Sequence, residues 1–182
     1  MSQTVLYAAG ADGDFVKVGH IKNAWHGAMY IWTELAKRYL GKDNPFMCFD
    51  EIWKLADGER LDDYEYYSLI TTFDNAVLPA GRIAKIVSHS LRNFRSTLHE
   101  EATGLRGQAN IIDDEFAKGA IAIAWNQTSV NSNPWFIYEP GFEEGRPYNL
   151  LRDKKHHLIE RHPRRGPAMD AVLAEAEKGA PP

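Results

Sequence analysis

Only one cysteine, Cys48, occurs in 182 residues. A lone thiol excludes a disulfide framework within the chain and fits a reducing compartment, so the expected location is cytoplasmic. Long apolar runs are missing too: no stretch approaches the roughly 18 consecutive apolar residues that a spanning helix needs. The opening MSQTVLYAAG has no charged segment followed by a long apolar one, so neither secretion nor membrane insertion is expected. Phosphate-binding signatures are absent. Gly10-Ala11-Asp12-Gly13 leads into a strand pattern rather than a helix, and neither a Walker loop nor the dinucleotide glycine fingerprint occurs. Nor does any frame join a nucleophile to a base: Cys48, Ser88, Ser90, His89 and His20 supply the residue types without a diagnostic spacing. No cofactor is implied.

The rest of the composition describes a chain that folds. Apolar residues make up 44% and charged residues 25%, which excludes wholesale disorder and fibrous classes. Five Trp, eight Tyr and eight Phe give large side chains whose polar ends must find partners or face water.

Thr4 to Ala9 and Phe15 to Ile21 are rich in β-formers and flank Asp12-Gly13, which predicts a β-hairpin. Trp25, Met29, Trp32, Leu35, Ala36 and Tyr39 recur at helical spacing over Ala24 to Leu40, with Gly41 as the stop. Short helices are predicted from Asp50 to Ala56 and from about Asp62 to Phe73. Thr103-Gly104 and Gly107 read as a loop. Two strand-length apolar runs follow, at 120–125 and 135–138, and Tyr148 to His162 reads as a last helix ended by Pro163. The expected class is α+β. Central helices pack on a small antiparallel sheet built from the N-terminal hairpin and the strands near 120–125 and 135–138. Residues 1–165 read as one globular domain and 166–182 as a tail with a short helix or none.

One segment sorts its chemistry by angle. From Gly81 to Glu100, Ile83, Ile86, Val87, Leu91, Phe94 and Leu98 fall on one side of a helix, and Arg82, Lys85, His89, Arg92, Arg95 and His99 on the other. At about 100° per residue each set covers an arc of roughly 140°. One face is a core prediction and the other a cationic ridge, on a chain whose net charge is -4. Asp50 to Glu65 carries seven acidic residues against Lys54 and Arg60, and could meet that ridge. The ridge suits an acidic protein surface, with nucleic acid as the alternative.

A second candidate is the loop between Trp125 and Trp135. Asn126, Asn131 and Asn133 offer amides between two indoles that suit an interface centre. The plainer reading has the amides supporting turns and the indoles packing on the sheet. Metal sites are not expected. His156, His157, Glu160 and His162 lie among arginines and lysines that repel a cation, and Asp12 with Asp14 reads as a hairpin turn. The function expected from these features is a protein-binding adaptor, inhibitor or regulator without catalysis, with homo-oligomers compatible and no membrane partner. A nucleic-acid binder and an enzyme of another type are the alternatives.

Overall fold

A computed structural model of the chain describes residues 3–22, 27–73, 76–97, 102–127, 133–138, 145–153 and 157–158. The fold is α+β.

Strands β1 (Gln3–Ala9) and β2 (Phe15–Lys22) form the hairpin. Gly13 turns it at φ 85°, with its N–H donating to the Gly10 carbonyl at 2.9 Å. Helix α1 (Ala28–Leu35) is buried along its whole length. It continues as a wider π turn over Ala36–Leu40, and Gly41 ends that turn in the left-handed region at φ 64°. Helix α2 (Phe49–Lys54) follows, with Asp50 in its first turn rather than at its cap. Helix α3 (Asp63–Ile70) starts on a reciprocal cap. Asp62 Oδ1 accepts from Glu65 N at 2.8 Å, and Glu65 Oε2 accepts from Asp62 N at 3.0 Å. Strand β3 (Ala76–Pro79), helix α4 (Arg82–Asn93), helix α5 (Ala102–Ala117) and strand β4 (Ala122–Asn126) complete the centre. The short strands β5 (Phe136–Ile137), β6 (Arg146–Pro147) and β7 (His157–Leu158) follow.

The main sheet runs β2-β1-β4-β3-β7, antiparallel except for the last pair. Period-two alternation gives it two buried faces. Leu6, Ala8, Leu78, Ile123 and Trp125 face the helices in the larger core. Ala9, Val77, Ala122 and Ala124 face the other way, where Trp135, Tyr148 and Phe15 cover them. The sheet therefore separates a helical core from a small aromatic one.

Four expectations differ from this arrangement. The 135–138 run pairs as β5 with β6 in a separate ribbon, and β3 takes the place beside β4. The described residues of the stretch Tyr148 to His162, expected as a helix, are not helical. Residues 150–152 form a turn and His157–Leu158 pairs with β3, while 154–156 and 159–162 lie outside the described residues. The 166–182 tail lies outside them as well.

The stretch read as a loop at Gly104 and Gly107 is inside α5. Leu105, Gln108, Ala109 and Ile112 are buried there at spacings of three and four. Burial of that stripe outweighs the propensity deficit of two glycines, about 1 kcal/mol each. Gly107 has room for a side chain, because an added Cβ would sit 3.5 Å from Ile21 Cδ1, an ordinary contact. Gly107→Ala is expected to stabilise the fold by about 0.5–1 kcal/mol through helix propensity; a lowered urea midpoint would contradict this.

Lastly, α4 stops at Asn93 instead of reaching Glu100. The backbone beyond it is held from outside the helix. The Arg95 carbonyl accepts from Arg38 Nη2 at 3.0 Å, and Glu34 Oε2 accepts from Thr97 N at 3.3 Å. Residues 98–100 lie outside the described residues.

Candidate functional site

Helix α4 packs between α3 and α5, with β3 behind it. Ile86, Val87, Leu91 and Phe94 are buried as their spacing predicts, and Ile83 is half-buried. Leu98 and His99 are not among the described residues. On the opposite side Arg82, Lys85, Arg92 and Arg95 are exposed and His89 is half-buried. The ridge is present on the described part of the segment.

At the C-terminal end the cations are tied to the protein. Arg92 donates to Ser88 Oγ at 2.5 Å and to Asn110 Oδ1 at 2.9 Å, and pairs with Asp113 at 2.6 Å. Arg95 Nε lies 4.0 Å from Asp62 Oδ2, and the His89 ring rests on Tyr64 with centroids 5.6 Å apart. The acidic segment thus meets the ridge at its Asp62 end, and α5 contributes the closer pair. Glu51, earlier in that segment, pairs instead with Lys42 at 2.6 Å.

At the N-terminal end the helix begins unfavourably. Gly81 offers no side-chain cap, the first turn holds no acidic residue, and Arg82 and Lys85 put cations at the positive end of the helix dipole. This breaks a local stability rule at an exposed place.

The Trp-flanked loop resolves differently. Trp125 and Trp135 are each 1% exposed. Trp125 Nε1 donates to Gln108 Oε1 at 3.0 Å, and Trp135 Nε1 donates to the Trp125 carbonyl at 2.8 Å. Asn133 donates to Tyr7 Oη at 2.9 Å while its Oδ1 accepts from Trp135 N at 3.0 Å. Asn126 ends β4, half-buried, and Asn131 lies outside the described residues. The plainer reading describes these side chains: the indoles form core, and Asn133, half-buried, supports a turn.

Two groupings escaped the sequence reading. The first is a buried carboxylate pair. Glu65 accepts from the Arg38 guanidinium, from Tyr39 Oη at 2.5 Å and from Asp62 N; Glu34 accepts from Thr97 Oγ1 at 2.8 Å. Burial, then the neighbouring Glu65 carboxylate, pushes the Tyr39 hydroxyl up to about 12. Every part of this network is partnered, so it reads as a clasp rather than a reaction centre. The Glu34/Arg38 spacing of four and the Asp62/Glu65 spacing of three were its visible signals.

The second grouping closes the aromatic side of the sheet. Asn149 donates to Asp14 Oδ1 at 2.7 Å and to the Asp12 carbonyl at 2.9 Å. Asp153 accepts from Arg146 at 2.7 and 3.0 Å and from Asn149 N at 2.8 Å. Hydrogen bonds from Arg146 hold the Asp153 carboxyl down at about 2, against an ordinary 3.8. Because the folded form binds the carboxylate, its contribution is complete above pH 3.8 and drains away as pH falls towards 2. Wild type is therefore expected to lose stability over that interval faster than Asp153→Asn. Parallel acid-unfolding curves for the two proteins would contradict the assignment.

Among the described residues no group of three or more His, Cys, Asp or Glu could hold a metal ion, and no helix is long and apolar enough to cross a membrane. His156, Glu160 and His162 fall outside those residues. No protein-family profile, curated protein or solved structure matches the chain.

Proposed function

We propose that this chain binds an acidic surface on another protein through the outer face of α4, with Arg82 and Lys85 as the primary contacts. The observation that carries the reading is the uncapped, cationic first turn of α4. Two cations there destabilise the helix by about 0.3–1 kcal/mol each, which is explicable if they serve a ligand rather than the fold. Arg92 and Arg95 flank the contact, Arg92 paired with Asp113 and Arg95 4.0 Å from Asp62. Those carboxylates also narrow the positive strip. A compact acidic patch suits it better than the long phosphate ladder of a nucleic acid, which would run past both.

The test exploits the sign of the dipole. Arg82→Glu with Lys85→Glu should keep or raise thermal stability while weakening binding of a fluorescein-labelled oligoglutamate peptide at low salt. Duplex DNA should bind no better than that peptide. Unchanged peptide affinity in the double variant, or preferential DNA binding, overturns the assignment.

A further inference from the structure

Two Asp-Gly pairs occur in the chain, Asp12-Gly13 and Asp57-Gly58. They share an intrinsic chemistry, because a glycine without a side chain leaves its backbone nitrogen open to the preceding carboxyl group. The fold treats them oppositely. At the hairpin turn the first pair is held from several directions. Asp12 Oδ1 accepts from Asp14 N at 3.2 Å, and the Asp12 carbonyl accepts from Asn149 Nδ2 at 2.9 Å. Gly13 N donates to the Gly10 carbonyl at 2.9 Å, the Gly13 carbonyl accepts from Leu150 N at 2.8 Å, and Gly13 itself is buried. The second pair ends the short 3-10 turn Leu55–Asp57. Asp57, Gly58, Glu59 and Arg60 are all exposed, and among the described residues the Asp57 carboxylate has no hydrogen-bond or ion-pair partner. Gly58 N donates to the Leu55 carbonyl at 3.3 Å, at the long end for such a bond. A weak bond closing a three-residue exposed turn opens by local fluctuation, without unfolding either core.

We propose that Asp57-Gly58 is a site of spontaneous isoaspartate formation in the folded protein, and that the fold protects Asp12-Gly13 from the same reaction. The Gly58 nitrogen attacks Asp57 Cγ. A C–N bond forms, and the carboxyl hydroxyl leaves with the amide proton as water, which closes a five-membered succinimide. Nucleophile and electrophile belong to one dipeptide, so no partner has to be recruited. Water then adds to one of the two ring carbonyls. Opening at Cγ restores aspartate, whereas opening at the Asp57 main-chain carbonyl leaves Gly58 joined through Cγ. Water is lost and regained, so mass and net charge are unchanged and no outside reagent is needed. The isomer inserts one methylene into the backbone between Leu55 and Leu61, which are 6% and 3% exposed. Both buried anchors must absorb that length, as must Arg60, which donates to the Tyr39 carbonyl at 3.0 Å.

The experiment ages the purified full chain at neutral pH and physiological temperature, then separates the tryptic peptides 1–17 and 55–60. Electron-transfer fragmentation identifies isoaspartate, because it cleaves the additional carbon–carbon bond of the isomerised backbone. In the folded protein the isomer should accumulate at Asp57 about tenfold or more faster than at Asp12, the effect of local opening at one pair and not the other. In urea the two pairs should react at similar rates, which assigns the difference to the fold. Gly58→Ala should slow the reaction severalfold by shielding the nitrogen. Thermal unfolding of that variant should be unchanged, since an added Cβ meets the Leu55 carbonyl oxygen at an ordinary 3.8 Å. Absence of isoaspartate at Asp57 in the folded chain overturns the proposal. So do equal folded-state rates at the two pairs, and undiminished formation in Gly58→Ala.

Discussion

Arg38→Met is expected to destabilise the fold by about 3 kcal/mol, the scale of leaving a buried carboxylate without its cation. Glu65 and Glu34 are 1% and 2% exposed, and Arg38 is the guanidinium that reaches both. The same guanidinium donates to the Arg95 carbonyl, so its loss also frees the chain after α4. The substitution keeps most of the side chain's volume, which separates charge from packing. Two results identify the mechanism. In urea melts, Arg38→Met combined with Glu65→Gln should recover part of the loss, because the uncompensated charge goes with the carboxylate. Hydrogen exchange should rise first over 94–97. A single variant as stable as wild type would mean that Tyr39, Thr97 and the capping backbone satisfy the carboxylates unaided.

This clasp also explains why the end of α4 was illegible in the sequence. The angular sorting of Ile86, Val87, Leu91 and Phe94 against Arg82, Lys85 and Arg92 predicted which side is core. It could not predict where the helix stops, because periodicity continues through Leu98 and His99. What ends the helix in space is Glu34 and Arg38, more than fifty residues away in the chain. The same limit applies to β3. Four residues ending in Pro79 make a weak strand pattern, yet β4 on one side and β7 on the other turn it into an inner strand. In α5, Gly104 and Gly107 hid a helix whose apolar stripe was present throughout. The hairpin, β4, α3 and the stop at Gly41 were legible because each rests on local chemistry: a left-handed glycine, a capping pair, or a short apolar run. Candidate sites divided along the same line. Charge on an amphipathic helix shows its exposed side directly, whereas a tryptophan signals area without saying whether that area faces the core or a partner.

For Trp135 the core has it, and the expected consequence is large. Trp135→Ala should destabilise by about 3–5 kcal/mol, the range for truncating a buried aromatic side chain. Its ring lies 4.9 Å from Phe15 and 5.4 Å from Tyr148, and its Nε1 satisfies the Trp125 carbonyl at the end of β4. Truncation therefore opens a cavity in the smaller of the two cores and removes a buried hydrogen bond to the Trp125 carbonyl. Trp135→Phe should cost less, because it retains ring packing and loses the hydrogen bond and some volume. The ordering of wild type, Phe and Ala in urea unfolding checks this, and near-equal midpoints for all three would place Trp135 outside the core. The ordering also bears on function. If Trp135→Ala abolished binding of a partner, loss of the folded state would explain it, so a binding surface on α4 is better mapped by Arg82 and Lys85. Both side chains are exposed and belong to neither core.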